Sequence, residues 1–135
     1  MWDSRAEADR WLRQAENDLE FARLGLREGF FAQVCFLAQQ SAEKAVQAVG
    51  YLLGERTVLG HSVAVLVDRY SERVPGLADL RDEAGILDQY YIPTRYPNGL
   101  PGGFPFMAFN EEQASNALAA TERFLRLASE LMAAG

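Results

Sequence analysis

The stretch from Phe30 to Leu53, FFAQVCFLAQQSAEKAVQAVGYLL, constrains the fold more than any other part of the chain. It contains no proline, and its apolar residues do not keep to one stripe. Val34, Leu37, Ala38, Ala45, Val49 and Leu52 line one side, while Cys35, Phe36, Ala42, Val46 and Leu53 cover much of the rest. A helix that is apolar nearly all round belongs among other helices. At about 1.5 Å per residue it spans roughly 35 Å, the height of a small bundle. Its polar residues cluster at mid-length as Gln39, Gln40, Glu43 and Lys44. A carboxylate and an ammonium at the waist of a buried helix need partners, or an opening to water at a groove or interface.

Other helices follow from local signals. Ala8, Trp11, Leu12, Ala15, Leu19, Ala22 and Leu26 recur at helical spacing, and Ser4 with Glu7 reads as a capping box at the start of that helix. Gly29 turns the chain into the apolar helix, and Gly54 is placed to end it. A third helix runs to about Tyr70, capped by His61 or Ser62, and a fourth carries Leu77, Leu80, Ala84, Leu87 and Tyr91 on one side. Next comes IPTRYPNGLPGGFPFMAF, from Ile92 to Phe109, with prolines at 93, 97, 101 and 105 that each disfavour helix. A loop this long in a small domain is uncommon and is usually functional or mobile. The last helix starts at Asn110, with Glu111 and Glu112 suited to its dipole, and turns Ala114, Ala117, Leu118, Thr121, Leu125, Ala128 and Leu131 inward. The expectation is all-α: an antiparallel, up-and-down bundle of about five helices with a Pro/Gly-rich loop before the last, residues 1–135 forming one domain.

Composition removes several functions. A net charge of −6 leaves no global basic footprint for nucleic acid and room only for a local patch. One cysteine, Cys35, and one histidine exclude an internal disulfide and a Cys/His zinc site within one subunit. No cofactor is expected. No signal peptide is read at the N-terminus, and Glu43 and Lys44 interrupt the best candidate membrane span, so a cytoplasmic protein without a membrane segment is expected.

Three constellations could carry chemistry. In Asp88-Gln-Tyr-Tyr-Ile-Pro-Thr-Arg-Tyr-Pro97, three tyrosines and one arginine meet a proline-stiffened loop. A tyrosine such as Tyr91 or Tyr96 offers a flat face for a base, and Arg95 a planar fork for phosphate. The competing expectation is that Arg95 pairs with Glu43 while the tyrosines plug the bundle end. In Gln39-Gln-Ser-Ala-Glu-Lys44, Gln40 and Lys44 share one face and Gln39 and Glu43 the next, which makes either a polar ligand groove or an internal network of Gln39, Glu43 and Arg95. Finally, Arg56 and His61 stand five apart, a loose spacing for a phosphate clamp and a general acid or base.

Taken together, the chain resembles the HEPN domain family. The matching residues are Ala15-x-x-Asp18-Leu19-x-x-Ala22, then Cys35-Phe-Leu-Ala-Gln-Gln-Ser-Ala-Glu-Lys-Ala45, then Gly60-His-Ser-Val63 with Leu66, then Tyr90-Tyr91 and Thr94-Arg-Tyr-Pro97, in the family's order. The resemblance implies a homodimer that works with a minimal nucleotidyltransferase in a two-component, toxin–antitoxin-like module, and it implies nucleotide binding. Ribonuclease members of the family carry R-x(4–6)-H late in the chain. Here that region holds Arg95-Tyr96-Pro97 with no histidine after it, so the Arg-Tyr-Pro branch, a binding subunit, is the nearer likeness. A metal-independent ribonuclease acting on RNA with Arg56 and His61 at a dimer interface is the alternative. Exposure of Phe104, Phe106, Met107 and Phe109 in the loop is a second reason to expect a homodimer.

Overall fold

The computed structural model describes residues 2–135. Six α-helices account for the architecture: α1 (Ser4–Glu28), α2 (Phe31–Leu52), α3 (Val63–Tyr70), α4 (Arg81–Asp88), α5 (Pro105–Ala108) and α6 (Glu111–Ala134). Among the described residues there is no strand. The five expected helices are α1, α2, α3, α4 and α6. The sixth, α5, is a single turn that begins with Pro105 inside the loop, where a fixed φ and a missing N–H are no handicap.

The bundle is organised on α2, which packs along α1 on one side and α6 on another, with α3, α4 and α5 closing the remainder. Gly29, at φ 85°, reverses the chain between α1 and α2 and donates to Gly25 and Leu26, so the two helices lie antiparallel. Fifteen residues of α2 are buried, which is what an all-round apolar pattern requires. Small side chains let its neighbours approach closely. A Cβ added at Gly50 would stand 2.6 Å from the Tyr70 hydroxyl and 2.7 Å from Val58. Two buried hydroxyls tie neighbouring helices to main-chain oxygens that are already in helical hydrogen bonds: Ser41 donates to Ala15 at 2.7 Å and Thr121 donates to Ala38 at 2.8 Å. A carbonyl has two lone pairs, so each such bond satisfies a buried hydroxyl without breaking a helix.

Three local expectations are corrected. Ser4 does not cap α1; Asp3 does, accepting from the Ala6 amide, and Glu7 turns outward to Arg10 and Trp11 instead of closing a capping box. The fourth helix does not run from Leu77 to Tyr91. A 3-10 turn over Ala78–Leu80 leads into α4, which ends at Asp88, because the approach to Pro93 cannot stay helical. Phe109 is not exposed with its neighbours but packs edge-on against Tyr90, ring centroids 5.8 Å apart. Ser62, one of the two expected caps, accepts from the Val65 amide at the start of α3. Asn110 and Gln113 form a reciprocal capping box on α6.

Candidate functional site

The mid-length polar residues of α2 divide between two faces. Lys44 turns to α1 and pairs with Asp18, whose side chain is largely covered. Gln39, Glu43 and Gln47 lie four apart and form a ladder on another face, each no more than 5 % exposed. Across this ladder runs the strap from Glu55 to Ser62, between α2 and α3. Gln47 donates to the Gly60 carbonyl at 3.1 Å, Gln39 donates to the His61 carbonyl at 2.8 Å, and His61 Nδ1 lies 3.1 Å from Glu43 Oε1. Gln40 faces the ladder's edge and donates to the Gln39 side-chain oxygen at 2.7 Å. The ladder thus holds main-chain carbonyls that would otherwise be unpaired, and Gln39 and Gln47 are buried because they have that work to do.

Asp88, the last residue of α4, completes the floor. Its carboxylate accepts from the amides of Val63 and Ala64 at 2.8 and 3.0 Å, from the Ser62 hydroxyl at 2.7 Å and from Gln39 at 3.2 Å. A carboxylate on the first amides of α3 is placed well for both the unpaired N–H groups and the helix dipole. Sequence reasoning does not single out Asp88 as a site residue. Its partners lie 24 to 49 residues away, so no local spacing announces it.

Glu43 is the strained member. Burial raises its pKa above the ordinary glutamate value, and the adjacent His61 lowers it only in part. The expected pairing of Glu43 with Arg95 does not form. Arg95 points away into the loop, its guanidinium 4.4 Å from the Phe36 ring centroid, 4.7 Å from that of Tyr91 and 5.0 Å from that of Tyr96. Stacking on three aromatic faces is a sound alternative for a weakly hydrated planar cation. Its Nε donates to the Tyr91 carbonyl at 2.9 Å, and among the described residues its terminal nitrogens have no hydrogen-bond partner. Arg95 therefore leaves the polar network expected for it with Glu43 and Gln39, and joins an aromatic one.

Tyr91 links the two halves. Arg95 lies over its ring, and the His61 imidazole stacks on it at 5.6 Å with planes 16° apart. A cleft of about 200 Å³ opens there, lined by His61, Ser62, Asp88 and Tyr91. On the far side of Arg95 lies a larger apolar groove of about 470 Å³, walled by Phe21, Leu24, Phe30, Phe36 and Leu37, with Arg95 and Thr94 at its rim. The structure thus brings Arg95, Tyr96, Tyr91, His61, Glu43 and Gln39 into one continuous region. Lys44 and Gln40 are not on it in the same way. Lys44 lines a separate open cleft with Trp11, Gln14, Arg10 and Arg13, and Gln40 reaches the region only through Gln39. Arg56 is not brought to His61 at all: its guanidinium lies 5.4 Å from the Trp2 ring centroid, and that ring in turn tilts against Tyr51. Buried Cys35 has its thiol pushed up to about 12 by desolvation, so it is an inert core group.

Comparison with known proteins agrees with this architecture. Residues 8–131 match the HEPN domain family model. The chain is 26 % identical over 133 residues to the candidate toxin MJ1304 of Methanocaldococcus jannaschii, covering 90 % of this chain and 86 % of that one. It is 32 % identical over 101 residues to human sacsin, covering 70 % of this chain but only 2 % of sacsin's length. Among solved structures, TT1696 from Thermus thermophilus superposes with a TM-score of 0.87 at 36 % identity, covering 92 % of this chain and 97 % of that one. The archaeal HEPN homologue ST0689 superposes with a TM-score of 0.76 at 33 % identity, covering 93 % and 97 %. With most of its length matched by the family model and the same helical arrangement in these relatives, this chain belongs to the HEPN domain family.

Proposed function

We propose that this protein, read as one domain over residues 1–135, is a nucleotide-binding HEPN subunit of the Arg-Tyr-Pro branch. In this reading it acts in the cytoplasm as a homodimer beside a minimal nucleotidyltransferase, in a toxin–antitoxin-like module. The observation that carries the reading is Arg95. Among the described residues its guanidinium makes no ion pair and its terminal nitrogens have no partner, while aromatic rings hold it in place. Such a group is prepared for an anion. Tyr91 and Tyr96 beside it supply faces for a base, and Lys44 and Gln40 are left to structural work on α2. The name of the relative MJ1304, a candidate toxin, supports the module in outline. The exposed Phe104, Phe106 and Met107, 57 to 72 % accessible, and the apolar groove beside Arg95 support association of two copies.

The test is binding of ATP by Arg95→Ala. Because Arg95 is exposed and holds no buried charge, the variant should keep the helical signal of the parent while ATP binding weakens on the order of tenfold or more, as removal of a charge-assisted contact implies. Unchanged binding would remove Arg95 from the site. Co-purification with a nucleotidyltransferase encoded nearby tests the partner. The ribonuclease alternative needs Arg56 and His61 to meet across a dimer interface, since within one subunit Arg56 lies against Trp2. RNA cleavage by the pure protein that is lost in both Arg56→Ala and His61→Ala would restore it.

A further inference from the structure

In the nucleotide reading a base lies on Tyr91, yet Tyr91 already carries a flat heteroaromatic ring. The His61 imidazole, chemically the five-membered half of a purine, stacks there nearly parallel. It reaches that place from the strap rather than from α4, and its side chain remains 73 % exposed. The main chain beneath it is fastened by Gln39 and Gln47, but the ring itself is held by one tie, Nδ1 to the buried Glu43. Rotating the ring off Tyr91 exposes the tyrosine face and leaves Glu43 without its hydrogen bond. The charged and titratable groups around this tie are Glu43 and Lys44 on α2, Asp88 on α4, and Tyr91 and Arg95 beyond it. Asp88 is saturated by four donors and cannot receive the imidazole in place of Glu43.

We infer that His61 is a gate on the base site: a resident ring that an incoming nucleobase displaces from Tyr91, held shut by Glu43. The inference rests on the nucleotide reading above and adds its regulation. With the imidazole on Tyr91, Glu43 keeps its hydrogen bond and the tyrosine face is covered, so the base site is closed while Arg95 stays free for an anion. With a base on Tyr91, stacking is exchanged for stacking, and binding is weakened by the buried carboxylate left behind. Asp88 has no free acceptor to read the base edge, so the exchange tolerates different bases, as stacking on an aromatic face generally does.

The experiment is calorimetric titration of ATP, and of inorganic tripolyphosphate as a baseless control, into the wild type, His61→Ala and Glu43→Gln. ATP affinity should rise roughly tenfold in His61→Ala, about the worth of one net hydrogen bond, and severalfold in Glu43→Gln. Tripolyphosphate affinity should be the same in all three. Because the chain has one histidine, proton NMR should also show its single imidazole leaving the tyrosine ring current as ATP saturates the wild type. If the wild type binds ATP and His61→Ala binds it equally or more weakly, the gate is wrong and the nucleotide reading stands. If no form binds ATP, both fail together. An imidazole signal unmoved by saturating ATP also overturns the gate. His61 is exposed, so His61→Ala should fold; should it not, Glu43→Gln decides.

Discussion

Two faces of the same helix, α2, are buried by different physics. The dry face presents Ala38, Ala42, Ala45, Val46 and Val49 to α1 and α6, all at most 2 % exposed. The wet face presents Gln39, Glu43 and Gln47 to the strap, and these are nearly as inaccessible. Burial on the dry face is favourable in proportion to apolar area and tolerates many sequences of similar volume. Burial on the wet face is tolerable because the Gln39 and Gln47 amides and the Glu43 carboxylate each have a specific partner in the strap or in Asp88, with only the Gln47 side-chain oxygen left unpaired among the described residues. The dry face makes the fold stable. The wet face determines where His61 and, through Tyr91, the Arg95 loop must sit.

The largest effect expected is on the dry side. Phe124→Ala removes a ring that is 2 % exposed in the centre of α6 and should cost about 3–5 kcal/mol in chemical denaturation. A loss below about 1 kcal/mol would mean that the packing around α6 is looser than the structure shows. On the wet side, Asp88→Ala strands the Ser62 hydroxyl and two α3 amides and should cost about 2–3 kcal/mol, with hydrogen-exchange protection lost first in α3. Equal loss across all helices would make the wet face part of the same cooperative unit as the dry one. Gly50→Ala tests the close approach of α2 to Tyr70. Ordinary helix propensity favours alanine, but Tyr70 is 1 % exposed and cannot retreat, so a net loss of about 1–2 kcal/mol is expected.

Glu43→Gln separates the two faces by pH. With its folded pKa raised, Glu43 binds a proton more tightly in the native state than in the unfolded chain. That contribution is full below the ordinary glutamate pKa of about 4.3 and is lost as pH rises through the raised value. Wild-type stability should therefore carry a downward slope in this window that Glu43→Gln lacks, read from denaturation midpoints at a series of pH values. The smallest effect on the fold should come from Met107→Ser. Met107 is 72 % exposed, so its replacement should change monomer stability by no more than about 0.5 kcal/mol. Light scattering at tens of micromolar should nevertheless show fewer dimers if the loop is the interface.

The helices are legible because their signals are local. Periodicity marks α1 and α6, continuous apolarity marks α2, and Ser62 and Asn110 announce their caps. Errors fall where two local signals compete. Asp3 and Ser4 are adjacent capping residues, and the backbone selects the aspartate. At the C-terminal end of α4, the apolar spacing runs on to Tyr91, past the point where the approach to Pro93 ends the helix. The candidate site is legible as a set of residue types but not as a set of contacts. That Glu43 needs a partner follows from its place in α2, yet the partner is His61, an exposed residue on a strap, rather than Arg95.

By itself the sequence determined the all-helical class, the central helix, the long loop and where its arginine and tyrosines cluster. Helical periodicity and residue chemistry are properties of neighbours a few positions apart, so a linear reading reaches them. Only the tertiary structure decided that Lys44 belongs to Asp18, that Arg56 belongs to Trp2, that Asp88 caps a helix 25 residues before it, and that His61 shares Tyr91 with Arg95. Each choice is between several partners of similar chemistry. The direction in which a rigid helix points its side chains makes the choice, and that direction exists only once the helices have packed.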